Sequence, residues 1–180
     1  MKEELEYSMY GLVPYNISPI QQGIQFGHAV QEYNNDFFER SHEFAQWRFN
    51  DKTFIILNGG TTNRTVKTFN SETGIPNYKG TLNNHVISLA NNGIECATFF
   101  EPDLNDALTA VVFLVDERVF NKEKYPDYIE YPQLENMSSF DELPKLPTFI
   151  DQIKYEDWVE SVGGEKNVFL REFLSQFKLA

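Results

Sequence analysis

The start of the first predicted helix is the feature that most constrains the fold of this 180-residue chain. Ser18 stands at the cap position, Pro19 occupies the first helical position, and Gln21 follows three residues after the cap, which is the pattern of a capping box. Residues 8–15 come directly before this start and predict a strand. The chain therefore turns from a strand into a helix within a few residues.

A second strand is predicted after the helical region. A further helical segment at about residues 39–49 is followed by residues 52–58, which contain the continuous apolar run Phe-Ile-Ile-Leu and end before two glycines. Such a run is typical of a strand that is covered on both faces. A strand, a helical crossover and a second strand in this order predict parallel pairing.

The first helix is predicted to have a polar stripe and a small-residue face. Gln21, Gln25 and His28 recur on the polar stripe at helical spacing. Gly23 and Gly27 lie on another face, and each costs about 1 kcal/mol of helix propensity relative to Ala. We therefore expect the two glycines to allow a very close approach of the helix to the sheet.

The rest of the chain completes an α/β sandwich. An inserted loop or hairpin, a third helix and two more strands are predicted at residues 60–80, 81–92, 94–100 and 109–115. The order predicts a sandwich of two or three layers around a mixed sheet of four strands, contained in residues 1–115. Residues 116–180 are broken by prolines and are predicted to form an extension that packs on this core.

Charge and composition exclude several classes of protein. Fifteen Lys and Arg against 27 Asp and Glu give a net charge of −12, which disfavours a nonspecific nucleic-acid binder. No apolar stretch approaches the roughly 20 residues that span a bilayer, so we expect no membrane association. The acidic amino terminus lacks the order of a secretory signal, and the single Cys96 is expected to be a buried thiol. Together these features predict a cytoplasmic protein.

A known family has a similar sequence at the first helix. Residues 20–29, Ile-Gln-Gln-Gly-Ile-Gln-Phe-Gly-His-Ala, resemble the signature of type 2 peptidyl-tRNA hydrolases, in which Gly-Lys is followed by Ala-Gln-x-x-His-Ala. Gln25, His28 and Ala29 stand at matching positions. A strand, a helix that ends in Asn-Gly-Ile, an acidic turn and a closing strand follow in the family's order, over about residues 8–115. The acidic turn Glu101-Pro102-Asp103, followed by Thr109-Ala110, is similar to that of divergent members from bacteria and bacteriophages. For a phage-encoded chain, this resemblance implies a location in the host cytoplasm.

The resemblance implies a carboxylic-ester hydrolase that cleaves the bond between a peptide or amino acid and the 3′ end of tRNA, without a metal or an organic cofactor. It implies that an acidic residue, Asp103 or Glu101, orients water. The family's Lys and Gln stabilise the charge on the attacked carbonyl, and a Thr hydroxyl lies near the site. The candidate catalytic residues are Gln21, Gln25, His28, Glu101, Asp103 and Thr109.

The chain departs from the family at Gln21, which stands where the family has its Lys. A neutral amide does not replace a fixed positive charge, and loss of one such donor typically costs about 100- to 1000-fold in rate. Gln21 is also explained as the capping partner of Ser18. The alternative function is therefore an inactive member of the fold, a phage-type binding protein that sequesters a nucleotide or inhibits a basic host protein.

Candidate binding groups lie in the one locally basic stretch of the chain. Contacts to tRNA or a nucleotide are expected from Lys52, Arg64, Lys67 and Lys79, and Lys52 or Arg64 could supply the missing cation. His42 and His85 have no partner at a metal-ligand spacing, so no metal site is predicted. Both a monomer and a dimer are compatible with the sequence.

Overall fold

A computed structural model of the chain describes residues 4–37, 39–62, 68–69, 76–77, 80–128 and 149–180. The first elements are β1 (Tyr7–Val13), α1 (Pro19–Phe37), α2 (His42–Gln46), a π-helical turn (Trp47–Asp51), β2 (Thr53–Asn58), β3 (Thr68–Phe69) and β4 (Pro76–Asn77). The elements that follow are α3 (Thr81–Asn91), β5 (Cys96–Glu101), a 3-10 turn (Pro102–Leu104), β6 (Ala107–Asp116), α4 (Glu117–Phe120), α5 (Phe149–Ser161) and α6 (Glu165–Ser175).

Four strands form a mixed sheet in the order β2-β1-β6-β5. β1 and β2 run parallel, with pairs from Ser8–Thr53 to Val13–Asn58, whereas β6 is antiparallel to both β1 and β5. The predicted α/β class, the mixed four-stranded sheet and the parallel crossover are therefore confirmed. The inserted segment contains a short antiparallel pair, β3 with β4.

Helices cover both faces of the sheet, which gives three layers. Phe26, Ala29 and Tyr33 of α1 belong to a buried cluster on one face, together with side chains from α2 and the π-helical turn. Leu82 and Leu89 of α3 belong to a second cluster on the other face. No helix in the described part of the chain is long and apolar enough to cross a membrane.

The glycine that allows α1 to approach the sheet lies in β1. A Cβ atom built on Gly11 would lie 2.3 Å from the ring atoms Cδ2 and Cε2 of Phe26, so only glycine leaves room for that ring. By contrast, Gly23 and Gly27 are exposed, and a Cβ on either would meet nothing within 4 Å. The expectation that these two glycines face the sheet is wrong. The packed face of α1 includes Ala29 instead.

The carboxy-terminal segment is joined to the sheet in two ways. Leu170 and Phe173 of α6 pack in the same buried cluster as α3. Beyond α6, the backbone N–H of Asn58 donates to the carbonyl of Lys178 at 2.9 Å, and residues 57 and 179 form an antiparallel bridge. The end of the chain therefore covers part of the outer edge of β2, an arrangement that blocks edge-to-edge pairing.

Candidate functional site

Gln25 is the centre of a buried polar network between α1 and the sheet. Its side chain is only 6% exposed. The amide Nε2 donates a hydrogen bond to Oε2 of Glu101 at 2.5 Å, and the amide Oε1 accepts one from the hydroxyl of Thr109 at 2.8 Å. Because a carboxylate only accepts, the amide must present its nitrogen to Glu101, and this fixes the orientation of the Gln25 side chain. We refer to these three residues as the Gln25 network.

A β-bulge places Thr109 on the α1 side of the sheet. Along β5 and β6 the pairing changes from Phe99–Ala110 to Phe100–Leu108, so that Thr109 is an extra residue in β6. Without a bulge, Leu108 and Ala110 would face the same side. Leu108 instead joins the cluster under α3, whereas Ala110 joins the cluster under α1. Bulges commonly redirect a side chain, and this bulge turns Thr109 toward α1.

The Gln25 network lies at one end of the sheet. Glu101 is the last residue of β5 and pairs with Ala107, the first residue of β6. Gln25 lies in the second turn of α1, which begins shortly after the end of β1. The end of β5, the start of β6 and the second turn of α1 therefore meet at this end of the sheet.

Glu101, rather than Asp103, is the acidic residue in contact with Gln25. Glu101 is partly exposed, and its second oxygen, Oε1, lies 3.5 Å from the backbone N–H of Asp103. Asp103 itself is exposed in the 3-10 turn that follows. The sequence left these two carboxylates as alternatives, and the structure brings Glu101 to the network.

Two other candidate residues lie beside the network but not in it. His28 is exposed, and its ring centroid lies 4.5 Å from the ring centroid of Phe99. The side chain of Gln21 turns back to the helix start, where its Oε1 accepts from the backbone N–H of Ser18 at 3.1 Å. The N–H of Gln21 in turn donates to the Ser18 hydroxyl at 3.3 Å. The capping box predicted from the sequence is confirmed, and the sequence did not indicate the aromatic partner of His28.

Of the four predicted cationic groups, the structure describes Lys52, which lies away from the Gln25 network. Lys52 ends the π-helical turn in a left-handed conformation, with φ of 54°, directly before the first residue of β2. β2 begins beside Ser8, at the end of the sheet opposite the Gln25 network. Arg64, Lys67 and Lys79 lie outside the described residues. A role of these four residues in binding tRNA or a nucleotide stays a prediction.

The chemistry that this arrangement supports is that of an oriented carboxylate. Glu101 receives its hydrogen bonds from two neutral donors, the amide of Gln25 and the backbone of Asp103. A partly exposed carboxylate held in this way can accept a proton from a water molecule. Among the described residues, no group of three or more His, Cys, Asp or Glu side chains is placed to hold a metal ion.

Comparisons with known proteins add no relatives to this description. No family model matches the chain, and no curated protein matches it either. The resemblance of residues 8–115 to type 2 peptidyl-tRNA hydrolases therefore stays a prediction from the residues themselves.

Proposed function

We propose that this chain hydrolyses the ester between a peptide or amino acid and the 3′ end of tRNA, on a peptidyl-tRNA hydrolase-like fold. The observation that carries the proposal is the Gln25 network. Gln25, Glu101 and Thr109 were each assigned to the site from separate blocks of the sequence, and they meet through hydrogen bonds of 2.5 and 2.8 Å. The resemblance implies all three residues, with Glu101 as one of two alternatives, and their direct contact in the structure supports a shared role.

In the proposed reaction, Glu101 orients a water molecule and accepts its proton as the water oxygen attacks the ester carbon. Gln25 uses one amide hydrogen on Glu101, and the other is free to stabilise negative charge on the attacked carbonyl oxygen. The carbon–oxygen bond to the ribose then breaks, and the proton passes from Glu101 to the leaving 3′ oxygen. Thr109 acts through Gln25 as a positioning residue, because its hydroxyl holds the amide oxygen.

The test compares the carboxylate in the Gln25 network with a carboxylate two residues away. Purified protein is incubated with aminoacyl-tRNA or peptidyl-tRNA, and release of the acyl group is measured. Glu101→Gln should lower the rate by about 100-fold or more, the usual contribution of a general base. Asp103→Asn makes the same change in charge two residues away and should leave the rate within about twofold. Equal losses in the two variants would contradict the role of Glu101.

A gain-of-function variant tests the family assignment. Gln21 lies one helical turn before Gln25, so Gln21→Lys places an ammonium group where the family has one. We expect the rate to rise by about 100-fold, the usual effect of a single oxyanion donor. Because the lysine cannot accept hydrogen bonds from Ser18, a modest loss of stability should accompany the gain. Absence of hydrolysis by both the wild type and Gln21→Lys would refute the proposed activity.

The capping role of Gln21 favours one alternative. Its amide is engaged by Ser18, and the groups that contact Glu101 are neutral, which is the arrangement expected if catalysis has been lost. The alternative is an inactive member of the fold that sequesters a nucleotide or binds a basic host protein. A thermal-shift screen of nucleotides tests this function, and stabilisation by a nucleotide in a chain that does not hydrolyse acyl-tRNA would favour it over catalysis.

A further inference from the structure

A cavity of about 280 Å³ opens at the end of the sheet opposite the Gln25 network. The ionisable residues that line it are Tyr7, Tyr33, Glu43, Glu95, Asp116 and Lys166. Tyr7 and Asp116 are paired residues of β1 and β6, and they mark the end of the sheet at which the cavity lies. The proposed hydrolysis uses none of these side chains, so the cavity has no assigned role.

Tyr33 presents an unpartnered hydroxyl to this cavity. The residue is only 2% exposed, yet its hydroxyl makes no hydrogen bond to any other described residue. No fully enclosed side-chain oxygen or nitrogen in the described part of the chain lacks a partner, so the Tyr33 oxygen must be accessible from the cavity. Buried Tyr hydroxyls normally find a hydrogen-bond partner. The Tyr33 hydroxyl is therefore available to a group that enters the cavity.

The charge around this hydroxyl is mainly negative. Burial and then the carboxylate of Glu95 raise the pKa of Tyr33, so the phenol stays neutral and can accept a hydrogen bond. Glu43 acts on Tyr33 in the same direction. Of the other charged groups, Asp116 is held by Arg118 at 2.8 Å, and Lys166 is the one cation of the lining. Because Arg118 offsets Asp116, the carboxylates of Glu43 and Glu95 against the ammonium of Lys166 leave a formal charge of 1 − 2 = −1.

We infer that this cavity binds a small organic cation, an alkylammonium or guanidinium group, which donates a hydrogen bond to the Tyr33 hydroxyl and is neutralised by Glu43 and Glu95. The volume is slightly below the usual range of about 300 to 1,000 Å³ for small-molecule sites, which suits an amine of a few heavy atoms. The ring of Tyr7, which is partly exposed, adds aromatic surface that favours cations. A free amine and the side chain of a Lys or Arg in a partner protein share this chemistry.

Isothermal titration of the whole chain with putrescine and with agmatine tests the site. We expect saturable binding with one site per chain. Tyr33→Phe removes only the hydroxyl and should weaken binding about fivefold, as expected for one hydrogen bond of about 1 kcal/mol. Glu95→Gln should also weaken binding, whereas Lys166→Gln should strengthen it by removing a like charge.

The matched control is Glu123→Gln, which changes the net charge by the same amount at an exposed residue that does not line the cavity. Circular dichroism confirms that each variant is folded. Absence of saturable binding, an unchanged affinity in Tyr33→Phe, or equal effects of Glu95→Gln and Glu123→Gln would each overturn the inference. Short peptides with one Lys or Arg form a second arm. If a peptide binds more tightly than the amines, the ligand of the cavity is a side chain of a partner protein. If the amines bind more tightly, the ligand is a free amine.

Discussion

Replacing Gly11 and Gly23 by alanine should change stability in opposite directions. At Gly11 the new Cβ would lie 2.3 Å from the Phe26 ring, where ordinary contacts begin at 3.4 Å, so the ring must retreat by 3.4 − 2.3 = 1.1 Å. Phe26 is only 4% exposed, and its ring already meets Phe54 edge-on at 5.3 Å between centroids. The ring therefore has little space into which it can move.

The magnitudes follow from two opposing effects. Overpacking of a core costs about 1–3 kcal/mol, and the lower backbone entropy of alanine offsets about 0.5–1 kcal/mol of this cost. The middle of the two ranges gives a net destabilisation of about 1 kcal/mol for Gly11→Ala. Gly23 is helical and exposed, and its Cβ meets nothing within 4 Å, so Gly23→Ala should stabilise the fold by about 0.5–1 kcal/mol.

Urea unfolding followed by circular dichroism measures both changes, and the melting temperature should move by about 2–4 °C for each kcal/mol in a chain of this size. The double variant Gly11→Ala with Phe26→Leu provides the structural check. Because the smaller side chain relieves the clash, Gly11→Ala should cost less in the Phe26→Leu background than in the wild type. A neutral or stabilising Gly11→Ala, or a destabilising Gly23→Ala, would refute this account of how α1 meets the sheet.

Two further predictions concern the carboxy-terminal half. The hydrogen bond from Lys122, and then that from Arg171, lower the pKa of Asp127 below its usual 3.8. Near and below pH 3.8, the unfolded chain therefore binds more protons than the folded chain. As the pH falls through this range, the free energy of unfolding should decrease more steeply in the wild type than in Asp127→Asn. Urea midpoints between about pH 2 and 5 measure the difference. Deletion of residues 178–180 should expose the edge of β2, so that the Asn58 amide exchanges hydrogen faster and light scattering detects association. Unchanged exchange and scattering would contradict the covering role of this segment.

The elements that the sequence predicted well are those with local causes. The start of α1 follows from Ser18 and Gln21, which contact each other three residues apart. The parallel pairing of β1 and β2 follows from the apolar run of β2 and the helical crossover. The first signal is complete within four residues, and the second needs only the continuous stretch from β1 to β2.

The packed face of α1 could not be predicted because it includes a buried polar residue, Gln25. Gln25 belongs to the predicted polar stripe, and the partners that allow its amide to be buried, Glu101 and Thr109, are more than 75 positions away. The assignment of Thr109 to a face has a similar difficulty. β6 is buried at nearly every position, so no alternation of apolar and polar residues reveals where the extra residue lies.

The strand order also determines when this sheet can close during synthesis. β1 is an interior strand, yet its antiparallel partner β6 begins at Ala107, 94 positions after β1 ends at Val13. At roughly 5–20 residues per second, a ribosome needs about 5 to 20 s to make the intervening chain. Through that interval β1 and β2 form at most a two-stranded ribbon, which is only marginally stable in water. The nascent chain therefore carries an open interior edge for seconds, and until β6 is made that edge can pair with another chain.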